Sequence, residues 1–505
     1  MATLNVVLIK PSKYGIDGYV ERFKTGYMPN ATLYHIAGLT PTNIDSVIIN
    51  IHTIDEYVRD DLDYLKLLHS DPDKECTTLV AIVGVQSHQF HRALDLAAYA
   101  QSNGVRHCII GGPHPMTCDT TQFQNSGISF ALAEAEVIWG EILDDAISGE
   151  LKPVYGTEGR WAPILDGPVV TPPSQEDLSR YILPLLGLYP VRGCPYDCNY
   201  CSVIKISGQQ VRSTPIHYTL QSLRNAKDSN IKQIFFVSDN FNKYSEATIL
   251  MQEMVDKQLT IPFTCQCDAQ IARQPEFVEL LGKSGCNEMF VGVESFDTET
   301  LKEANKFHNK PDSYERIIRF CEAASINSHF SNIIGFPNDT ITSIQQQLDM
   351  IIQLSPSISS FYILTPIPGS EQYDDFKTKG LLREDNLDKY DSTYLTWEHP
   401  TISPNDMSDL LFRCYIDFYT AALKSGNLSE NNKATALAFR HYAKQKMHPM
   451  SGGTGKLKID NVSDYIELRT KHYDIKLAPL PDNLQLSHTD QLINKGKILN
   501  IGSIN

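Results

Sequence analysis

Twice along the chain, short continuously apolar runs alternate with amphipathic stretches, and a proline-studded segment separates the two series. Strands that are apolar along their whole length are buried on both faces, and strands joined through helices lie parallel, so each series specifies an α/β unit. In the first series, residues 4–9, 46–51, 79–85 and 107–110 read as strands and 92–102 and 134–147 as helices. This predicts a doubly wound parallel sheet over residues 1–150, with a ligand beyond the carboxyl ends of its strands. Val83-Gly84-Val85-Gln86-Ser87 and Ile110-Gly111-Gly112-Pro113-His114-Pro115 fall at two such ends. Glycine there lets a ligand approach the backbone, and a tight strand-to-helix turn asks for glycine as well.

Residues 151–185 carry Pro153, Pro163, Pro168, Pro172 and Pro173 without periodicity and read as a linker. The second series places strands at 187–191, 233–237, 263–267, 289–293, 330–334 and 360–364. Helical faces intervene, with Ala247, Leu250, Met254 and Val255 in 246–257 and Ile344, Leu348, Ile351 and Ile352 in 342–354. Such units, at a spacing of roughly thirty residues, predict a partial parallel (β/α)6 barrel over 186–395 with chemistry at its strand ends. Beyond 396 the strand signal fades; 405–425 and 434–446 read as helices, so 396–505 is expected to be a helical extension ending in a polar tail, 477–505. A chain of 505 residues needs more than one core, which agrees with this division.

The first strand of the second series runs into Arg192-Gly193-Cys194-Pro195-Tyr196-Asp197-Cys198-Asn199-Tyr200-Cys201-Ser202, a C-x3-C-x2-C spacing. With 11 cysteines in the chain, chance placement yields that spacing about 0.005 times. Metal ligation is therefore favoured over scattered structural thiols. Zinc sites ask for four protein ligands, and no paired Cys or His follows at a finger or ribbon spacing. Three thiolates on one loop instead suit a four-iron cluster that keeps one iron open. A zinc-stabilised binding protein stands as the non-enzymatic alternative.

The cysteine loop resembles the cluster motif of the radical S-adenosylmethionine (SAM) superfamily, with Cys194, Cys198 and Cys201 as cluster ligands and Tyr200 in the position beside the adenine. Phe235-Phe236-Val237-Ser238-Asp239-Asn240, Phe290-Val291-Gly292-Val293-Glu294-Ser295, Asn332-Ile333-Ile334-Gly335-Phe336-Pro337 and Thr365-Pro366-Ile367-Pro368-Gly369-Ser370 resemble that family's later strand ends, in order, across about 190–370. One departure is Ser238, where family members commonly carry an acidic residue. The resemblance implies a [4Fe–4S] cluster, SAM cleavage to a 5′-deoxyadenosyl radical, and SAM contacts from Tyr200, Asp239, Glu294, Ile334 and Gly335. Residues 1–150 resemble the Rossmann-like cobalamin-binding domain of one subgroup, at Lys10-Pro11-Ser12, Gly84 to Ser87, Gly111 to Pro115 and Ala133-Glu134-Ala135-Glu136, the last in place of Gly-Glu-Gly-Glu. Ser87, Gly111 and Gly112 are the implied cobalamin contacts. No Asp-x-His-x-x-Gly motif is present, so a cobalamin without a histidine lower ligand is expected.

These resemblances imply methylation of an unactivated carbon in a small-molecule, lipid or peptide substrate, fed by an electron donor such as flavodoxin or ferredoxin. The alternative is radical cyclisation, coupling or rearrangement, with a cobalamin-like domain that binds no corrin or uses it without methyl transfer. Lys plus Arg total 44 against 60 Asp plus Glu, a net charge of −16, which disfavours nucleic acid as partner. Residues 1–10 lack the basic and long apolar regions of an export signal, and no apolar run approaches the roughly 20 residues of a membrane span. A cytoplasmic location with reduced thiols is expected.

Other residues invite two readings each. Cys265 and Cys267 share a strand face, as a second metal site or, more simply, as packed core thiols. His88, His91 and His114 lie near the expected corrin edge, and surface or turn histidines are the plainer expectation. Tyr14, Tyr19 and Tyr27 with Arg22 and Lys24 form an aromatic, cationic loop suited either to closing over an interdomain cleft or to an ordinary Ω-loop.

Overall fold

The computed structural model describes residues 2–15, 20–23, 25–59, 76–123, 125–157, 161, 167–426, 428–449 and 497–499. Tyr19, Lys24, Pro163 and nearly all of the expected tail lie outside these residues. Of the tail, Lys497–Leu499 form a short strand parallel to Glu21–Phe23.

The first unit contains strands β1 (Thr3–Lys10), β2 (Val47–Asp55), β3 (Cys76–Ile82), β4 (His107–Gly111), β5 (Ile128–Ala131) and β6 (Val154–Tyr155). Its sheet runs β2-β1-β3-β4-β5-β6 in parallel, with Asn43–Ile44 added antiparallel at the β2 edge. Helices α1 (Ala31–Leu39), α2 (Phe90–Ser102) and α3 (Ala135–Ser148) pack on it. In β1, residues 4–10 are all buried, as a central parallel strand covered on both faces requires. The strand order reverses at β1/β3, where a doubly wound sheet opens its crevice.

Three sequence expectations change here. The strand expected at 79–85 ends at Ile82, and residues 83–85 form the turn. β6 falls inside the stretch expected to be linker, pairing with β5 at the sheet edge. α1 and β5 lack the long periodicity that would have marked them. α1 is fixed instead by its cap, with Asn30 Oδ1 accepting from the backbone N–H groups of Thr32 and Leu33 at 3.0 and 3.3 Å.

The second unit contains β7 (Leu186–Leu188), β8 (Ile234–Phe236), β9 (Phe263–Asp268), β10 (Cys286–Glu294), β11 (Asn327–Ile334) and β12 (Ile358–Ile363), in sequential, all-parallel order. Helices α4 (Ile216–Asp228), α5 (Ala247–Asp256), α6 (Pro275–Lys283), α7 (Tyr314–Ala323) and α8 (Ile341–Leu354) connect successive strands. The strand expected at 187–191 divides: β7 stops at Leu188, and beyond Pro190, which has no N–H to give a ladder, Val191–Arg192 pairs antiparallel with Arg212–Ser213. Helices α9 (Pro404–Ser425) and α10 (Glu430–Lys444) follow, α9 starting at a Ser403 cap with Pro404 at its first position.

One apolar core runs through both units, from Leu4, Leu8, Ile36 and Trp139 to Leu186, Phe236 and Met289, and a second joins β11 and β12 to α9 and α10. All eleven cysteines are unpaired. Cys265 and Cys267 are core thiols, with Cys265 Sγ 4.0 Å from Cys286 Sγ. The histidines depart from the surface expectation. His91 and His114 are buried, and His88 is half-buried. His91 Nδ1 meets Asp388 at 3.2 Å, and His114 Nδ1 lies 3.1 Å from Ser87 Oγ. No described helix is long and apolar enough to cross a membrane.

Candidate active site

The cysteine loop hangs between the two strands of the short ribbon, beyond the end of β7. Gly193 starts it at φ +95°, where an added Cβ would stand 2.3 Å from Gln210 O. Gly193 N–H donates to Asp239 Oδ2 at 2.9 Å, and Asn240 Nδ2 donates to Cys194 Sγ at 2.9 Å, so the turn after β8 supports the loop. Cys198 is buried, and Cys194 and Cys201 are half-buried. Burial pushes the Cys194 thiol up to about 11 and Cys201 to about 12, and it raises Cys198 as well; Lys306 works against all three shifts.

Lys306 Nζ lies 3.1 Å from Glu294 Oε1. Burial opposes the Lys306 charge, but Glu294 and the Cys198 thiol outweigh it and hold its pKa above the ordinary value. Glu294 ends β10 at φ +63°, unusual for a residue with a side chain. The Tyr200 ring meets Phe336 edge-on at 6.1 Å, and its hydroxyl lies beside Cys198. Tyr200, Glu294 and two of the thiols are thus within electrostatic reach of one another, with the β11 end adjoining through Phe336. Gly335 N–H and Phe336 N–H donate to Asp339 Oδ2 at 2.8 and 3.0 Å, and Met407 packs against Gly335.

Between the two sheets lies a cavity of about 410 Å³. The first sheet contributes Gly84, Gly111 and Gly112 with apolar walls from Ile109, Ile138 and Trp139; the second contributes Arg192, Ser238 and Asp239. At Gly112, φ is +136° and an added Cβ would meet Val85 N at 2.1 Å. Ser87 is not among the lining residues, its hydroxyl being turned to His114. Ser238 Oγ is buried and has no protein partner. His35 also lines the cavity, with its Nε2 2.8 Å from Glu136 Oε1.

A buried ion network joins the walls. Arg212 donates to both oxygens of Glu134, at 2.6 and 2.7 Å, and Arg192 Nη2 reaches Glu136 Oε1 at 2.9 Å. Burial raises the Glu136 carboxyl, but Arg192 and His35 more than reverse this and hold it below its usual range. The two acids precede and begin α3 of the first unit, while the two arginines bracket the cysteine loop. Lys306, Arg192 and Arg212 were not marked by sequence. Lys306 belongs to no motif and reaches Glu294 only through the turn after β10, and the arginines' partners are far away in the chain.

A second chamber of about 820 Å³ adjoins the first, sharing Lys10, Asn30, Tyr189 and Val237. Tyr27, Tyr57, Tyr181, Phe235, Phe439 and Tyr442 give it an aromatic lining, the last two from α10. Tyr14, from the same aromatic stretch as Tyr27, is instead buried against Asp95 and does not line the chamber.

This α/β pair of sheets with a three-cysteine loop at one edge defines a class. The radical SAM superfamily model matches residues 188–351, so this stretch of the chain is a radical SAM domain. It is 24% identical over 413 residues to the bacteriochlorophyllide d C-8(2)-methyltransferase of Chlorobaculum tepidum, covering 77% of this chain and 86% of that protein. It is 26% identical over 299 residues to the C-12(1)-methyltransferase of the same organism, covering 57% and 64% respectively. Its fold is similar to that of TsrM from Kitasatospora setae, a radical SAM methyltransferase solved with cobalamin and a [4Fe–4S] cluster bound. The TM-score is 0.58 at 16% identity, over 75% of this chain and 78% of that one.

The loop fits a cluster by its donors: three thiols of one loop beside a lysine that favours their ionised forms. Among the described residues no three or more His, Cys, Asp or Glu side chains are gathered in a metal-holding arrangement, so the fit rests on donor chemistry and setting. The glycine-edged cavity with its unpartnered Ser238 hydroxyl fits a further bound group.

Proposed function

We propose that the protein is a cobalamin-dependent radical SAM C-methyltransferase. The observation that carries the reading is that residues on either side of the cysteine loop, Arg192, Val203, Ile206 and Ser207, line one cavity with the glycine turns of the first sheet, the cysteines themselves lying outside its lining. Cys194, Cys198 and Cys201 would hold a [4Fe–4S] cluster. Tyr200, Asp239, Glu294, Ile334 and Gly335 would contact SAM, and Gly111 and Gly112 would contact cobalamin. Ser87, expected to touch cobalamin, lies outside the cavity lining with its hydroxyl on His114 and would not contact it directly. When bound, the cluster supplies the electron that cleaves SAM, and the cobalamin supplies a transferable methyl group.

The chain's own residues do the positioning. Lys306 pairs with the Glu294 carboxylate at the strand end, and Asp239 fixes the first peptide of the cysteine loop. Residues 1–150 would form the cobalamin-side unit and 186–395 the radical unit, tied by Arg192 and Arg212 to Glu136 and Glu134. Closing the cavity between two units excludes water from reactive species. A substrate in the adjoining chamber meets mostly aromatic and aliphatic surface, which suits a large, largely apolar molecule such as the bacteriochlorophyllides on which the two relatives act. An electron donor of flavodoxin or ferredoxin type completes the reaction, and a cytoplasmic setting agrees with the unpaired thiols.

Anaerobic reconstitution with iron, sulfide and hydroxocobalamin tests this. About four irons and one corrin per chain are expected, with Cys198→Ala losing the cluster absorbance but keeping its circular dichroism. A cluster without corrin uptake would remove cobalamin-dependent methylation and leave a radical reaction of another kind. About one zinc without sulfide would overturn both readings.

A further inference from the structure

We propose that a basic recess on the outer side of the cysteine loop is the docking surface for an acidic one-electron donor protein. The recess, about 190 Å³, is formed by the turns that follow β9 and β10 and by the start of α7. Arg273, Lys310 and Arg316 line it and are exposed, against the single carboxylate of Asp312. This is a local excess of cations on a chain whose net charge is −16. The neighbouring Phe307 is 59% exposed, giving the cationic rim an apolar contact beside it.

The inner wall leads to the cysteines. His308 lines the recess, is buried, and has no partner for either ring nitrogen. Its ring stacks on Tyr196 at 3.6 Å and 10°. Tyr196 lies in the loop between Cys194 and Cys198, and Lys243 Nζ stands 5.7 Å from its ring. Surface, His308, Tyr196 and thiol loop therefore form one packed succession, separate from the cavities assigned to cofactor and substrate.

Cations around an apolar contact steer and orient an acidic protein, whereas the recess is too small to enclose a substrate and the overall charge disfavours nucleic acid. One electron would leave the donor's flavin or iron–sulfur centre and enter the cluster; no bond or proton moves. This inference rests on the reading that the loop holds a cluster, and it is independent of methyl transfer.

The test uses full-length reconstituted protein and the triple variant Arg273→Glu, Lys310→Glu, Arg316→Glu. Cluster bleaching is followed by stopped flow with a photoreduced acidic flavodoxin and, separately, with dithionite. The variant should react about tenfold more slowly with flavodoxin at low ionic strength and at the wild-type rate with dithionite. Flavodoxin should also bind cluster-free wild type more tightly than cluster-free variant, and added salt should narrow that difference. Equal flavodoxin rates in variant and wild type, or equal slowing with both reductants, would overturn the docking surface while leaving the cluster in place. Failure of wild type to take up any cluster would overturn the reading of the loop and this inference with it.

Discussion

Along the first sheet's carboxyl edge, the buried polar side chains find protein partners. Lys10 donates to Gly84 O and to Gln89, Gln89 donates to Pro11 O at 2.8 Å, Arg92 grips Glu56, and His114 meets Ser87. Burial alone would discharge such groups, as the Lys10 ammonium lowered to about 7 illustrates. Across the cavity the second sheet's edge is built differently. Ser238 Oγ and both nitrogens of His308 are buried without partners, and the thiols of the cysteine loop are shifted up by desolvation. An unsatisfied buried polar group costs about 1–3 kcal/mol. The first edge is satisfied within the protein at these residues, with Glu136 Oε2 a buried atom that has no hydrogen-bond partner, whereas the second carries groups whose chemistry calls for something bound.

The bridge between the edges gives the largest expected effect. Arg212→Met removes both hydrogen bonds to Glu134 and leaves a buried carboxylate, with Arg192 Nη1 3.7 Å away. Breaking a buried pair in this way costs about 3–5 kcal/mol. Urea unfolding should show that loss, and adding Glu134→Gln should recover much of it, because the stranded charge is then gone. A loss under about 1 kcal/mol in the single variant would mean that the two edges are held together by their shared apolar core instead.

What was legible in the sequence follows the same division. The cysteine loop was legible because all three thiols sit within one turn-rich segment, and the order of strands because parallel strands are apolar throughout. Glu134 was visible as part of a motif, but its role was not: Arg212 is brought to it by the packing of two separate units. Lys306 carries no local signal, since an isolated lysine after a strand looks like any surface lysine until the fold turns it onto Glu294. The histidines erred toward the surface for a related reason: burial of His91 depends on Asp388, supplied from far along the chain.

The first edge has its own signature against pH. Burial lowers the His114 pKa from 6.5 to about 3. The unfolded chain takes up that proton as pH falls through 6.5, while the folded protein does not until about 3. The stabilisation from a neutral His114 is therefore full above 6.5 and lost progressively as pH falls to about 3. At pH 5 the linkage amounts to about 2 kcal/mol. His114→Gln keeps a hydrogen-bonding partner for Ser87 and cannot titrate, so unfolding at pH 7 and pH 5 should show a smaller loss in the variant. Equal losses would show that His114 is hydrated in solution and that this edge is less closed than its contacts indicate.

The smallest effect bears most directly on why the edges differ. In the cofactor-free protein, the Ser238 hydroxyl is desolvated without recovering a hydrogen bond, so Ser238→Ala should stabilise the fold by about 1 kcal/mol, read from the urea midpoint at unchanged slope. If the hydroxyl is held for a bound group, the same variant should weaken retention of SAM or cobalamin, measured by equilibrium dialysis of the reconstituted protein. Stability and binding would then move in opposite directions, as expected of a residue kept for its ligand at a cost to the fold. At the first edge the paired residue Ser87 should behave oppositely: truncation leaves His114 without its partner and lowers stability. If Ser238→Ala instead destabilises the cofactor-free protein, its hydroxyl already has a partner, a buried water being the simplest, and the contrast between the two edges reduces to the thiols and His308.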